Sequence, residues 1–286
     1  MKLVLSHLGK LKIYHGKSMY FQKVIPFLLF IISVFFSVEA FNASMNTDVE
    51  ITEVQIPEIK VPDVKICTLG FIPYGINDEG NLSGLYYDMA NLIVTNAGYS
   101  SVNNVTPYAR IAKRMTFGKT DLTIMFRNPA LDDYVDYVAP LPVQEVIAIG
   151  LQGSSFNKVS DLSGKVISYI RGAKFNNNID NNKNIKKHEV IDYTQGIKML
   201  MMGRSNAIIG SLLPIKKAAL ALEKKENIKI VFGKPLILES RTPWIQLSKK
   251  SSNRIDIEKL KQSFLQLQKQ GTLNRLKVKY GLPVTP

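Results

Sequence analysis

The pattern of apolar and polar positions is clearest between residues 104 and 128, where it predicts a helix followed by a buried strand. Gly118 is expected to end the helix, and Asp121–Phe126 is short, apolar and β-prone, as a buried strand would be. Within the helix, the apolar face carries Tyr108, Ile111, Ala112 and Met115, and the opposite face carries Arg110, Lys113 and Arg114.

An aromatic ring, a guanidinium and an amide follow one another at the end of the predicted strand, as Phe126, Arg127 and Asn128. Open α/β sheets bind ligands at the carboxyl ends of their strands. The simpler alternative is a helix–strand pair with solvated ends. The pattern of the remaining sequence is needed to distinguish these two interpretations.

Strands and helices alternate along the remaining chain in two successive α/β units. The first unit has strands at 64–70 and 102–105, a turn at 77–81 and a helix at 83–96, before the helix and strand described above. The second has strands at 166–169, near 190, at 207–210 and at 228–232, with helices at 194–202 and 212–226 and an exposed asparagine-rich loop at 176–184. Such alternation predicts parallel sheets flanked by helices.

Extended segments connect the two units. They run over residues 134–141, 143–151 and 236–248, and two helices at 256–270 and 273–280 follow, separated by Gly271. A tail of this length can return to the first unit. The predicted fold class is therefore α/β with two lobes, each a mainly parallel sheet flanked by helices, and a cleft between them.

The N-terminus has the pattern of a secretory signal peptide. Lysines precede an apolar run at Val24–Phe36, and small residues follow it at Ser37–Ala40. The run has 13 residues, fewer than the roughly 20 that span a bilayer. We expect a signal peptide over 1–40, an extended lead over 41–63 and an exported, periplasmic protein. An uncleaved anchor is the alternative, and Met19 is an alternative start.

Composition favours a stable core without disulfides. The chain has 286 residues, 45% of them hydrophobic, and a single cysteine, Cys67, in an apolar run. Without the first 40 residues, the 37 basic and 23 acidic residues fall to 32 and 22, which leaves about +10. The single tryptophan and the lack of basic–aromatic interleaving argue against nucleic-acid binding.

The chain lacks the common catalytic motifs. It contains no G-x-S-x-G, P-loop, G-x-G-x-x-G or H-E-x-x-H sequence, and beyond the signal segment its only histidine is His188. We therefore expect no catalytic residues, no metal site and no cofactor. A lyase that uses one carboxylate as a general base is the enzymatic alternative; its candidates are Asp88, Asp132, Asp133 and Glu239.

Seven phrases in order carry a family resemblance: GFIPY, GNLSGLYYDMANLI, FGKTDLTIM, VDYVAPL, DLSGKVISYIRG, MGRSNAII and FLQLQKQGTLNRLKVKYG. Together they resemble the extracytoplasmic solute-binding proteins of ABC importers, in the branch that binds polar amino acids (family 3). The resemblance implies two lobes that close on a small solute about a two-strand hinge, with crossings near Ile147–Gly150 and Ser240–Gln246. The expected first lobe is 64–149 with 241–286, and the second is 150–240.

The resemblance also implies a set of site residues. Phe71 and Tyr108 match positions that stack on the solute, Asn128 matches a hydrogen-bonding position, and Arg171-Gly172-Ala173 matches a loop of the second lobe that faces the cleft. Two matches fail. Leu131 stands where the family places the arginine for the α-carboxylate, and Ser211 stands where it places the aspartate for the α-amino group.

Other side chains must then complete the site. Arg127, Arg110 or Arg171 could supply the missing cation through bidentate hydrogen bonds, and Arg127 is the favoured one of the three. Tyr74, Phe126 and Trp244 could extend the aromatic wall, although core packing explains them equally well. Aromatics and arginines without an amine-binding carboxylate favour an anionic or neutral solute.

We therefore interpret the chain as a monomeric, non-enzymatic, exported protein that captures a small amino-acid-like or organic anionic solute. An inner-membrane permease complex would be its partner. The alternatives are a lyase or dehydratase on the same fold, and a stand-alone sensor that uses the same cleft.

Overall fold

The computed structural model describes residues 61–284. The predicted signal peptide and most of the predicted lead lie outside these residues. The helices that position the candidate site are α1 (Leu85–Asn96), α2 (Tyr108–Thr116), α3 (Asn177–Asp180), α4 (Tyr193–Met201), α5 (Leu212–Glu226), α6 (Ile257–Lys269) and α7 (Thr272–Lys279). Within 61–284, no helix combines the length and the apolar character needed to cross a bilayer.

The first lobe is built on a five-stranded sheet. Its strands are β1 (Asp63–Leu69), β4 (Ser100–Thr106), β5 (Leu122–Phe126), β6 (Val135–Pro140) and β12 (Pro243–Ser248), in the order β4-β1-β5-β12-β6. β4, β1 and β5 pair in parallel, whereas β12 runs antiparallel to β5 and β6. A small hairpin of β2 (Ile76–Asp78) and β3 (Asn81–Ser83) encloses the predicted turn.

The second lobe repeats this plan. Its strands are β7 (Gln144–Ile149), β8 (Val166–Ile170), β9 (Lys186–Val190), β10 (Ala207–Ser211) and β11 (Leu236–Arg241), in the order β11-β7-β10-β8-β9. β10, β8 and β9 pair in parallel, and β7 runs antiparallel to β10 and β11. Each sheet is thus mainly parallel, with one antiparallel strand that directly adjoins a crossing between the lobes. The two-lobed α/β fold predicted from the sequence is confirmed.

The structure corrects the position of the first crossing. β7 belongs to the second sheet, so the chain changes lobe between β6 and β7, at residues 141–143, and not at Ile147–Gly150. Residues Val146–Ile149 are all buried, in a strand that pairs with β10 on one edge and β11 on the other. The return crossing, at Thr242 between β11 and β12, lies within the expected Ser240–Gln246. The first lobe therefore comprises 61–141 and 243–284, and the second comprises 144–241.

A second correction concerns the predicted strand at 228–232. This segment forms no strand, and only Phe232 makes an isolated bridge, to Leu151. Its alternating apolar residues are only partly buried, so they pack against the core without joining a sheet. The segment therefore leaves β11 as the edge strand of the second sheet.

One buried carboxylate holds the first lobe together. Asp121, 2% exposed, accepts hydrogen bonds from the backbone amide of Lys65 at 2.7 Å, from Ser251 Oγ at 2.6 Å and from the Arg254 guanidinium at 2.7 Å. Its own carbonyl accepts from the amide of Ser248 at 2.7 Å. Asp121 therefore links β1, β5 and the end of β12, at the end of the sheet opposite to the one that carries Phe71 and Phe126.

We expect Asp121→Asn to lower the free energy of unfolding by about 1.5–3 kcal/mol, because it removes an ionised acceptor that hydrogen-bonds three donors. Urea denaturation followed by circular dichroism measures this change. Asp133→Asn, at an exposed position, is the control and should leave the midpoint unchanged. Equal midpoints for the two variants would contradict the structural role of Asp121.

Candidate functional site

The loop after β1 presents two aromatic rings between the lobes. The backbone turns sharply here, with the amides of Tyr74 and Gly75 donating to the carbonyl of Phe71 at 2.6 and 3.1 Å. A Cβ on Gly75 would collide with the carbonyl oxygen of Leu69, so only glycine fits at this position. The turn buries Phe71 and Tyr74 at the carboxyl end of β1, where α/β sheets place ligands.

Both lobes contribute to a small internal cavity of about 30 Å³ at this point, which we call the inner cavity. Its walls are almost entirely aromatic and apolar, and among residues 61–284 no carboxylate, lysine, arginine or histidine lines it. The first lobe supplies Leu69, Phe71, Tyr74, Tyr86, Tyr108, Met125, Phe126 and Pro243, and the second lobe supplies Gln144, Phe175, Tyr193 and Ser211. A cavity of this size holds about one water molecule, so a solute can enter only if the lobes or the rings move apart.

A tyrosine–glutamine–tyrosine contact joins the lobes at the back of this cavity. Tyr74 and Tyr86 stack with ring centroids 4.1 Å apart and an interplanar angle of 4°. The Tyr74 hydroxyl donates to Gln144 Oε1 at 2.8 Å, and Gln144 Nε2 donates to the Tyr86 hydroxyl at 2.8 Å. Gln144 is the first residue of β7, so these bonds tie the first lobe to the crossing.

A second contact between the lobes is aromatic. The rings of Phe71 and Tyr193 lie 4.9 Å apart at an angle of 53°. The Tyr193 hydroxyl accepts a hydrogen bond from the Ser211 amide at 3.2 Å. Any side chain at Gly210 would overlap the Tyr193 ring, so this glycine makes room for it. Tyr193 is therefore held firmly in the second lobe.

The phenols around the inner cavity are neutral. Burial raises the pKa of Tyr74, Tyr86, Tyr108 and Tyr193 above the ordinary tyrosine value. All four therefore stay protonated at physiological pH. Tyr108 also receives a hydrogen bond from Asn128 Nδ2 at 3.2 Å, and Asn128 Oδ1 accepts from the Ala130 amide at 3.1 Å. The inner cavity can accordingly offer stacking and neutral hydrogen bonds, but no charge.

Charged groups lie further out, around a polar cavity of about 510 Å³ that we call the mouth cavity. It shares Phe175 with the inner cavity and is bounded by residues of both lobes. Its lining residues are Asn128, Pro129, Ala130, Lys174, Phe175, Asn176, Asn177, Asp180, Asn181, Glu239 and Arg241. Cations and carboxylates therefore face the same space, which is large enough for a small solute.

Arg241 is the central cation of the mouth cavity. Its side chain is only 17% exposed and lies with its guanidinium carbon 5.0 Å from the centre of the Phe126 ring. It donates to the carbonyl of Lys174 in the second lobe and to the carbonyl of Arg127 in the first, the latter at 2.5 Å. It also pairs with Glu239 at 3.5 Å. Arg241 thus bridges the lobes beside the return crossing.

The three arginines proposed from the sequence lie outside both cavities. Arg127 is exposed, pairs with Asp132 at 3.5 Å and lies 4.2 Å from the centre of the Tyr137 ring. Arg171 pairs with Glu189 at 3.1 Å, and Arg110 is exposed on α2. Arg127 lines neither cavity, because Phe126 lines the inner cavity and successive strand residues point to opposite sides. That Arg127 supplies the cation stays a prediction.

Of the other nine proposed residues, six line the inner or the mouth cavity and three do not. Phe71, Tyr74, Tyr108, Phe126 and Ser211 line the inner cavity, and Asn128 lines the mouth cavity. Trp244 lines neither, because its ring packs against Tyr137 at 5.6 Å. Gly172 and Ala173 line neither of these two cavities. Gly172 instead lies against Ala109 of α2, with φ at +73° and too little space for a normal Cβ contact.

Sequence reasoning missed Tyr86, Gln144, Phe175, Tyr193 and Arg241. Two of them could have been noticed in the sequence. Tyr193 follows Asp192, the N-cap residue of α4, and Arg241 lies within the predicted return crossing. Of the carboxylates considered as general bases, Asp88 bonds Lys279 and Tyr280, both at 2.7 Å, and only Glu239 faces a cavity. Leu131, at the expected arginine position, is 2% exposed and belongs to the core.

Two helix-flanked sheets, joined by two crossings and enclosing a site between them, define the class of two-lobed ligand-binding proteins. The family model for bacterial extracellular solute-binding proteins, family 3, matches residues 64–283. The chain belongs to this family and is a ligand-capturing protein of the kind that serves ABC importers. No curated protein matches the chain.

Solved structures share the fold at low sequence identity. The substrate binding protein of an amino acid ABC transporter has a TM-score of 0.63 at 17% identity, covering 76% of this chain and 98% of that one. An ancestral arginine-binding protein bound to arginine has a TM-score of 0.62 at 21% identity, with coverages of 76% and 97%. The GluR0 ligand-binding core from Nostoc punctiforme, in complex with (L)-glutamate, has a TM-score of 0.62 at 20% identity, with coverages of 77% and 100%.

The contact between Gly172 and Ala109 predicts that a side chain at residue 172 will hold the lobes apart. A Cβ there would lie 3.2 Å from the Ala109 Cβ. We expect Gly172→Val to increase the radius of gyration in small-angle X-ray scattering. Gly164→Val is the matched control, because Gly164 has a similar φ of +75° but no atom within 4 Å of an added Cβ. An identical radius for both variants would contradict this contact.

Proposed function

We propose that this protein captures a small amphiphilic solute between its lobes, outside the cytoplasm, and delivers it to the membrane permease of an ABC importer. The solute's apolar or aromatic part would lie against the inner cavity, and its polar or charged head would face Arg241 in the mouth cavity. The observation that carries this proposal is that a neutral aromatic pocket and a charged mouth lie next to each other, share Phe175 and are both built by residues of the two lobes.

The contribution of both lobes explains how capture would be coupled to closure. A ligand favours the closed arrangement only if it binds that arrangement more tightly than the open one. A solute in contact with Phe71 and Tyr108 on one side and Tyr193 and Phe175 on the other meets this condition. The hydrogen bonds of Gln144 to Tyr74 and Tyr86 would then re-form as the lobes close.

The charges of the mouth cavity bear on the class of solute. Arg241 and Lys174 could receive a carboxylate, and Asp180 and Glu239 could receive an amine. This extends the anionic or neutral solutes expected from the sequence to zwitterions. Two of the similar structures are bound to arginine and to (L)-glutamate, so amino acids are the first solutes to test.

The lyase alternative has less support. Among residues 61–284, no carboxylate lines the inner cavity, where a general base would have to reach an enclosed substrate. Glu239 faces the mouth cavity but is paired with Arg241. Binding without chemistry therefore remains the function that this site supports best.

The experiment that tests the proposal is a thermal-shift screen of the purified protein against amino acids, organic acids and small peptides. A ligand that binds only the folded state must raise the melting temperature. We expect at least one amphiphilic or zwitterionic solute to do so, with a calorimetric stoichiometry of one. Turnover of the solute during the titration would instead favour the lyase.

We further expect Arg241→Ala to weaken binding of the solute found in that screen by about 1.5–3 kcal/mol, on the order of 10- to 100-fold in Kd, because a charge-assisted hydrogen bond is lost. Calorimetric titration measures the effect. Arg127→Ala removes an exposed arginine nearby and should leave Kd unchanged. If Arg127→Ala abolished binding and Arg241→Ala did not change it, Arg127 would be the cation that binds the solute, as expected from the sequence.

A further inference from the structure

A third cavity lies at the first crossing and shares no lining residue with the mouth cavity. This rear cavity has a volume of about 450 Å³, within the range of small-molecule sites. Its walls come from α1, the first crossing, the start of α5, α6, α7 and the segment after α7. Residues of both lobes and of the crossing therefore surround it, as they surround the cleft.

The rear cavity is separated from the inner cavity by the tyrosine–glutamine–tyrosine contact. Tyr74, Tyr86 and Gln144 line both cavities, and their stacking and hydrogen bonds form the wall between them. The other residues that line the rear cavity line neither the inner cavity nor the mouth cavity. A ligand in the rear cavity would therefore occupy a site of its own.

The lining of the rear cavity is chiefly apolar and carries a cationic rim. Leu85, Met89, Phe264 and Leu273 are buried side chains that form its floor. Lys216 of α5 and Lys277 of α7 stand at the rim from opposite lobes, and neither forms an ion pair with any residue of 61–284.

A single carboxylate, Glu145, lines the rear cavity, so its charge is net positive. The C-terminal segment closes one side, where Lys217 Nζ donates to the Gly281 carbonyl at 3.0 Å and links α5 to the end of α7. An apolar interior with two free ammonium groups at its edge is complementary to a molecule with an apolar body and an anionic head.

We infer that the rear cavity is a second ligand site that takes a small anionic amphiphile, such as a medium-chain carboxylic acid. The chain of the acid lies against the buried leucines, methionine and phenylalanine, and its carboxylate lies between Lys216 and Lys277. This site is distinct from the solute cleft and does not require that the cleft bind any particular solute.

Isothermal titration of the purified protein with decanoate tests this inference, and decyltrimethylammonium, with the same chain and a cationic head, is the matched probe. We expect decanoate to bind with a stoichiometry of one, and the cationic amphiphile to bind weaker by on the order of tenfold. Equal affinity for the two probes would overturn the anionic specificity and with it the proposal.

Two pairs of variants locate the site. Val143→Trp places an indole at an exposed position that lines the cavity and should abolish decanoate binding, whereas Val278→Trp, equally exposed on α7 but outside the cavity, should not. Lys216→Gln combined with Lys277→Gln should weaken binding by on the order of tenfold. Lys224→Gln combined with Lys225→Gln, on exposed turns of α5, should leave it unchanged.

Three outcomes would overturn the inference. In the first, decanoate binding survives Val143→Trp. In the second, it is lost in the cleft variant Arg241→Ala, which would place the amphiphile in the mouth cavity. In the third, light scattering shows twice the monomer mass and Val143→Trp restores the monomer, which would mean that a second copy of the chain covers this face.

Discussion

The lobes of this protein are joined by two short crossings, at residues 141–143 and at Thr242, so side-chain contacts decide how the two sheets face each other. The most consequential contact is the one that Gln144 makes with Tyr74 and Tyr86. It places neutral donors and acceptors at the base of the cleft and forms a wall that separates two cavities. The inner and rear cavities both take one of their walls from it.

The division between a neutral interior and a charged mouth follows from the cost of burial. A buried charge is stable only when paired, whereas buried phenols remain neutral and need only a hydrogen bond. The chain places tyrosines inside and leaves Arg241, Lys174, Asp180 and Glu239 where solvent can reach them. Leu131, where the resemblance leads one to expect an arginine, is buried in the core. Under the proposed function, a charged group of the solute would therefore be bound at the mouth.

Hydrophobic periodicity predicted most elements of the fold, because each sheet and helix buries one regular face. It misplaced the first crossing, because an apolar run can form a buried strand in the sheet of either lobe. Val146–Ile149 is equally apolar in both interpretations, and only its pairing with β10 and β11 assigns it to the second sheet.

The site was predicted less well than the fold. Phe71, Tyr108 and Asn128 follow from a local resemblance, but Arg241 reaches the mouth cavity only because β11 returns beside β7. Arg127 is the opposite case, because it was expected in the site from the sequence but lines neither the inner nor the mouth cavity. Its neighbour Phe126 takes the inward position at the strand end, and the arginine then turns toward Asp132 and Tyr137.

The most direct measurement is a crystal structure of the protein with a solute that raises its melting temperature. The account predicts density for that solute between the lobes, in contact with Phe71 and Tyr108 on one side and Tyr193 on the other, with its polar head toward Arg241. A solute bound outside the cleft, with the Phe71–Tyr193 contact intact, would contradict it.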